Sequence, residues 1–197
     1  PSSFPGCGLD RPLMKSSMVR RVADTVFPAT ASLIIEAEAS EMAQPLADIK
    51  QLRFRTDNPS AGNGGSANRS AYLHFNVDFN GSDTWQRRLV FVPSNNGAVL
   101  QNTWQEWDAI NWGGALWSYS GPTWPVTGQP GTTLKTWAQI LSDYPGVRMR
   151  VTDSFAGLRV GEPNAEAYTE NIDSFTFGTA SATTIFNFED TPACTAV

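Results

Sequence analysis

The residues of this chain that could do chemistry are concentrated in a few short stretches. Between Trp104 and Trp124 the segment WQEWDAINWGGALWSYSGPTW holds five of the seven tryptophans, with Tyr119 among them and glycine, serine and proline between. Large flat rings among turn residues form either an aromatic core edge or a surface that stacks on sugar rings or on another protein. Trp104 and Trp107 read as opposite faces of one strand, so at least one belongs to the core. Trp112, Trp117 and Trp124 fall in a glycine-rich loop and are expected to be an exposed ligand-binding surface, with Tyr119 beside them. Asn111, Gln101 and Asp108 are the expected partners for ligand hydroxyls. The alternative is a lid that buries the same rings.

The string VDFNGSD offers a second chemistry. Asp78, Asn80, Ser82 and Asp83 crowd oxygens into a turn, as a hard cation such as calcium requires, and the expected metal set is Asp78, Asn80 and Asp83. A structural rather than catalytic ion is implied. The competing reading is a plain hairpin with Asn80-Gly81 at a type I′ centre.

Catalytic constellations are weaker. A glycosidase needs two carboxylates facing each other across roughly 5 to 10 Å. Glu106 and Asp108, Glu36 and Glu38, and the later group Glu162, Glu166 and Glu170 are the available sets. Acidic residues at i, i+2 equally describe a solvated strand face. A lyase would use Tyr72 or the sole histidine, His74, on one strand face with Asn76 and Asp78, while Arg53 or Arg55 neutralises a uronate. The Arg, Gln-x-His and Tyr-Lys motifs of jelly-roll lyases are missing. Nucleophile elbows, phosphate loops and zinc spacings are missing too.

These residues must be positioned by strands. Leu33 to Ala39, Leu52 to Arg55 and Leu73 to Phe79 alternate apolar with polar residues. Further strands are expected at 87–92, 103–110, 147–152, 156–160, 172–177 and 184–188, each bounded by turn residues. One helix fits GTTLKTWAQILSDYPG, where Leu134, Trp137, Ala138 and Leu141 share a face, a threonine caps the start and Pro145-Gly146 ends it. Trp137 is therefore assigned to the core. Residues 1–11, 57–70 and 111–131 read as long loops. No solenoid or propeller repeat is present.

The chain has 197 residues, 41% hydrophobic and 17% charged, with a net charge of −5. That length suits one β-sandwich domain over 1–197, with 1–30 as an N-terminal arm. The low, slightly acidic charge lacks the basic footprint of a nucleic-acid binder. No apolar run reaches transmembrane length. Cys7 and Cys194 are the only cysteines, and they read as a bridge closing nearly the whole chain, worth about 4–5 kcal/mol in the chain-entropy model. Two free thiols are the alternative. A first residue of Pro rather than Met carries the expectation of a removed leader, hence a secreted, extracellular protein. The sequons at Asn68 and Asn80 would matter only in a eukaryotic host.

The succession VDFNGSD, RRLVFVP, TWQEWDAI with a Trp-Gly segment, TLKTWAQILSDYPGVRM, GLRVG, ENIDSFTFGT and TTIFNFED resembles a loosely defined group of secreted bacterial domains. Those domains resemble jelly-roll sandwiches of the laminin-G and carbohydrate-binding-module type. The resemblance spans roughly residues 30–190, and the group has no agreed activity. It implies an all-β jelly roll with one short helix. The functional expectation is a noncatalytic recognition module that binds carbohydrate through the aromatic loop. An extracellular subunit that assembles with copies of itself is the alternative, with the arm MVRRVADTVFPAT adding a strand to a neighbour. A polysaccharide lyase or glycosidase is the third reading.

Overall fold

The computed structural model describes residues 31–35, 44–61, 66–152, 156–160 and 170–186. Alternating sequences become strands in two antiparallel sheets. The larger contains β1 (Ala31–Ile35), β9 (Ala156–Val160), β3 (Tyr72–Asp78), β4 (Arg88–Phe91), β6 (Leu116–Tyr119) and β7 (Lys135–Thr136) in that order, with β8 (Arg148–Met149) also paired to β3. The smaller runs β11 (Thr183–Phe186), β10 (Asn171–Thr179), β2 (Ile49–Asp57) and β5 (Gln105–Asp108). Among the described residues, no helix is long and apolar enough to cross a membrane.

Period-2 side-chain direction sends Leu52 and Phe54 of β2 and Leu73, Phe75 and Val77 of β3 into one core. Phe54 meets Phe91 of β4 edge to face at 5.9 Å, so the two sheets touch through aromatic rings. The fold is thus mostly β with one short helix, α1 (Trp137–Asp143). Thr136 caps α1 by a reciprocal pair with Gln139, each side chain bonding the other's backbone N–H. The helix buries Trp137 and Ile140 and leaves Ala138 exposed, a rotation of the face expected from spacing. Trp137 lies in the core, as expected.

The main departure from the sequence reading is β6. Residues expected in a loop over 111–131 include LWSY, which pairs with β4 through Leu89↔Tyr119 and Val90↔Ser118. Its alternation places Trp117 and Tyr119 inward. Gly131 packs against this strand's end: a Cβ there would lie 2.0 Å from the Gly121 carbonyl oxygen and 2.5 Å from that of Tyr119. Only hydrogen fits.

Candidate functional site

The aromatic segment divides into core and surface. Trp117 and Trp124 have no exposed surface and Tyr119 is buried, which corrects the expectation of an exposed trio. The physical reason is that both indoles have complete buried partnerships. Trp117 donates from Nε1 to the Ala109 carbonyl at 2.9 Å and packs on Phe75, Phe91 and Trp137. Trp124 donates to the Thr133 carbonyl at 3.0 Å and stacks on Tyr144 at 6.0 Å. Of the earlier pair, Trp107 is buried and Trp104 is partly exposed beneath the Arg55 guanidinium at 5.6 Å.

Trp112 is different. Its side chain is 96% exposed, the extreme among large apolar residues described. Its backbone has φ +54°, and the preceding Asn111, also exposed, has φ +42°. Asn tolerates the left-handed region, but a bulky Trp there is strained, by about 1–2 kcal/mol. The turn is braced from below. Asp108 Oδ1 accepts the N–H of Ile110 at 3.0 Å and of Asn111 at 2.7 Å, and Oδ2 lies 3.4 Å from Arg53. Asp108 therefore holds the turn instead of offering itself to a ligand, and Gln101 is held by a backbone bridge to Asn58 with its side-chain Nε2 buried and without a hydrogen-bond partner. The following Gly113 backs onto α1, where an added Cβ would come within 3.2 Å of Ala138 Cβ.

On the same helix, next to Ala138, Gln139 lines a groove of about 340 Å³ with Thr127, Gln129, Thr133, Leu134, Lys135 and Asp143. Lys135 is buried and bonds Asp143 Oδ2 at 2.6 Å. Its ammonium also sits 5.4 Å from the Trp124 ring. Sequence reading missed this groove because its residues come from the end of the glycine-rich stretch and from α1. The threonine-capped helix was its one legible signal.

The turn over 78–83 does not fit calcium. Asp78 Oδ1 accepts the N–H groups of Asn80 at 3.2 Å and Gly81 at 2.8 Å and the Gln86 amide at 2.9 Å. Oδ2 accepts the Asp83 N–H and the Arg148 guanidinium, each at 3.0 Å. Asn80 Oδ1 accepts from Ser82 and Gln86, and Asp83 accepts from Val151 and Thr152. The oxygens point at N–H donors, and Arg148 already supplies the positive charge. Burial alone would raise the Asp78 pKa, but the N–H of Asp83, the Arg148 guanidinium and the N–H groups of Asn80 and Gly81 hold it below the usual range. Among the described residues, no group of three or more His, Cys, Asp or Glu converges as metal ligands. Nor is the turn a type I′ hairpin: Gly81 has φ +78° while Asn80 is not left-handed, and the β3–β4 connection spans 79–87.

The candidate catalytic sets are also reassigned. Glu106 and Asp108 share a face of β5 and both reach Arg53, at 3.7 and 3.4 Å, as a surface ion-pair group. His74 is only 2% exposed. Arg53 and Arg55 stand on the other sheet, and the guanidiniums acting on His74 are those of Arg88 and Arg159. Burial first, then those two charges, lowers its pKa to about 3. A buried, neutral imidazole of that weakness is a poor general base near pH 7. Glu36, Glu38, Glu162, Glu166, Cys7, Cys194 and the arm over 1–30 lie outside the described residues.

Glu170 is drawn into a second buried network, made of hydroxyls. Trp107 Nε1 donates to Thr56 Oγ1 at 2.9 Å, Thr56 and Ser70 hydroxyls meet at 3.1 Å, and Ser70 donates to Glu170 Oε1 at 2.9 Å. Burial pushes the Glu170 pKa up to about 7 against the hydrogen bonds from Ser70, the Ala71 N–H and Thr56.

No family model matches the chain, and no curated protein or solved structure matches it either.

Proposed function

We propose that this protein is a noncatalytic, secreted recognition module of jelly-roll type that binds carbohydrate, with Trp112 as the stacking ring. The observation that carries the reading is Trp112 itself, an almost fully exposed indole on a strained left-handed turn. Exposure and strain both cost stability, and such costs concentrate where a surface is used. A flat indole face suits the C–H face of a sugar ring, and the polar groove on the neighbouring side of α1 offers hydroxyl partners. Enzymatic readings receive less support, because Glu106 and Asp108 are paired with Arg53 and His74 is buried. The test is retardation in polysaccharide-containing native gels. Trp112→Ala should abolish retardation at unchanged melting temperature, and wild-type mobility unaffected by every polysaccharide would reject the reading.

A second reading, self-assembly, is favoured by Ile185, 65% exposed on β11, one of the two outer strands of the smaller sheet among the described residues. Exposed apolar edges recruit strands from other copies. Concentration-dependent growth in light scattering, removed by Ile185→Lys, supports assembly; a monomer at high concentration rejects it.

A further inference from the structure

We infer that the groove beside Trp112 selects neutral, hydroxyl-rich sugars over uronates; this rests on the carbohydrate reading above. The charged wall of the groove is the Lys135–Asp143 pair, with side chains 8% and 29% exposed. Their charges cancel, so the groove has no surplus cation with which to hold a carboxylate. Lys135 is committed on both sides, to Asp143 Oδ2 at 2.6 Å and to the Trp124 ring. An acidic sugar would have to displace Asp143 from a buried ammonium, trading one carboxylate for another and leaving Asp143 unpaired.

A hydroxyl requires no such exchange, because it donates and accepts at once. The remaining groove groups match that dual character. Asp143 uses Oδ2 on Lys135, leaving Oδ1 to accept. Gln139 Oε1 accepts the Thr136 N–H at 2.8 Å, which leaves its amide NH₂ to donate. Thr127 and Gln129 are exposed groove residues that supply both kinds of group. Ala138, against which Gly113 of the Trp112 turn backs, and Gln139 of the groove are consecutive on α1, so the turn and one groove residue are held by the same short helix.

The test uses native gels cast with neutral polysaccharides (mannan, xylan or mixed-linkage β-glucan) or with polygalacturonate. Wild type should be retarded by at least one neutral polysaccharide and not by polygalacturonate. The surface double variant Thr127→Ala/Gln129→Ala should weaken neutral retardation about tenfold, the scale of one or two hydrogen bonds. Asp143→Asn, which leaves Lys135 uncompensated, should acquire retardation by polygalacturonate; if it fails to fold, the double variant still decides. Polygalacturonate retarding wild type as strongly as the neutral polymers, or the double variant binding like wild type, overturns the inference. Loss of binding in Trp112→Ala alone, with the double variant unaffected, overturns the groove while sparing Trp112. Retardation by none of the gels removes both readings.

Discussion

Arg148 of β8 grips Asp78 of β3 through two guanidinium nitrogens, Nε at 3.0 Å and Nη2 at 2.9 Å from Oδ2 of a carboxylate with no solvent exposure. The two residues are also register partners across the strands. Removing the buried carboxylate leaves the N–H groups of Asn80, Gly81 and Asp83 and the half-buried Arg148 without their acceptor, so Asp78→Ala should destabilise the fold by about 2–4 kcal/mol in urea denaturation. Because the folded pKa of Asp78 is depressed, its contribution is present above the unfolded value of 3.8 and is lost as pH falls through the folded one. Wild type should therefore lose stability in acid more steeply than Asp78→Asn.

The same pairing predicts the response to metal. Millimolar calcium or chelator should leave the melting temperature unchanged, since the Asp78 oxygens are bonded to N–H donors. A calcium-dependent rise of several degrees would overturn this.

Glu170 and His74 should impose opposite pH slopes. The Glu170 pKa is raised from 4.5 to about 7, so its stabilising contribution is full below 4.5 and is lost as pH rises through 7, on the order of 2–3 kcal/mol. The His74 pKa is lowered from 6.5 to about 3, so the unfolded chain binds the extra proton and stability falls as pH drops below 6.5. Between pH 5 and pH 8 the two act in opposite directions, so Glu170→Gln, measured by denaturation at both, should shift the stability difference toward pH 8 by about 2 kcal/mol. An unchanged difference between the two pH values would contradict the raised pKa.

The tryptophans should separate by stability. Trp117→Ala and Trp124→Ala remove wholly buried rings and should cost about 3–5 kcal/mol. Trp112→Gly should raise stability by up to about 1 kcal/mol by relieving the φ of +54°, while losing glycan binding. Thermal unfolding of the three variants checks this ordering.

Gly131→Ala should be among the most damaging single-methyl changes, because the new Cβ would meet backbone carbonyl oxygens at 2.0 and 2.5 Å. Far-UV circular dichroism and yield of soluble protein would report it. Wild-type-like melting would mean that the 119–131 turn can open without loss.

The sequence by itself determined the strand-rich character of the chain and the capped helix, because alternation in LHFNVD and the spacing around Trp137 are local signals that tertiary contacts reinforced. It also singled out the 104–124 segment. Only the tertiary structure decided which rings of that segment face water. LWSY alternates like a strand, but the glycines before it and the turn residues after it mimic a loop, and a partner in β4 settles the matter. The acidic turn was ambiguous for the same reason: clustered oxygens look alike whether a cation or N–H donors will face them. Arg148, 70 residues away in the chain, supplies the charge that local sequence could not reveal.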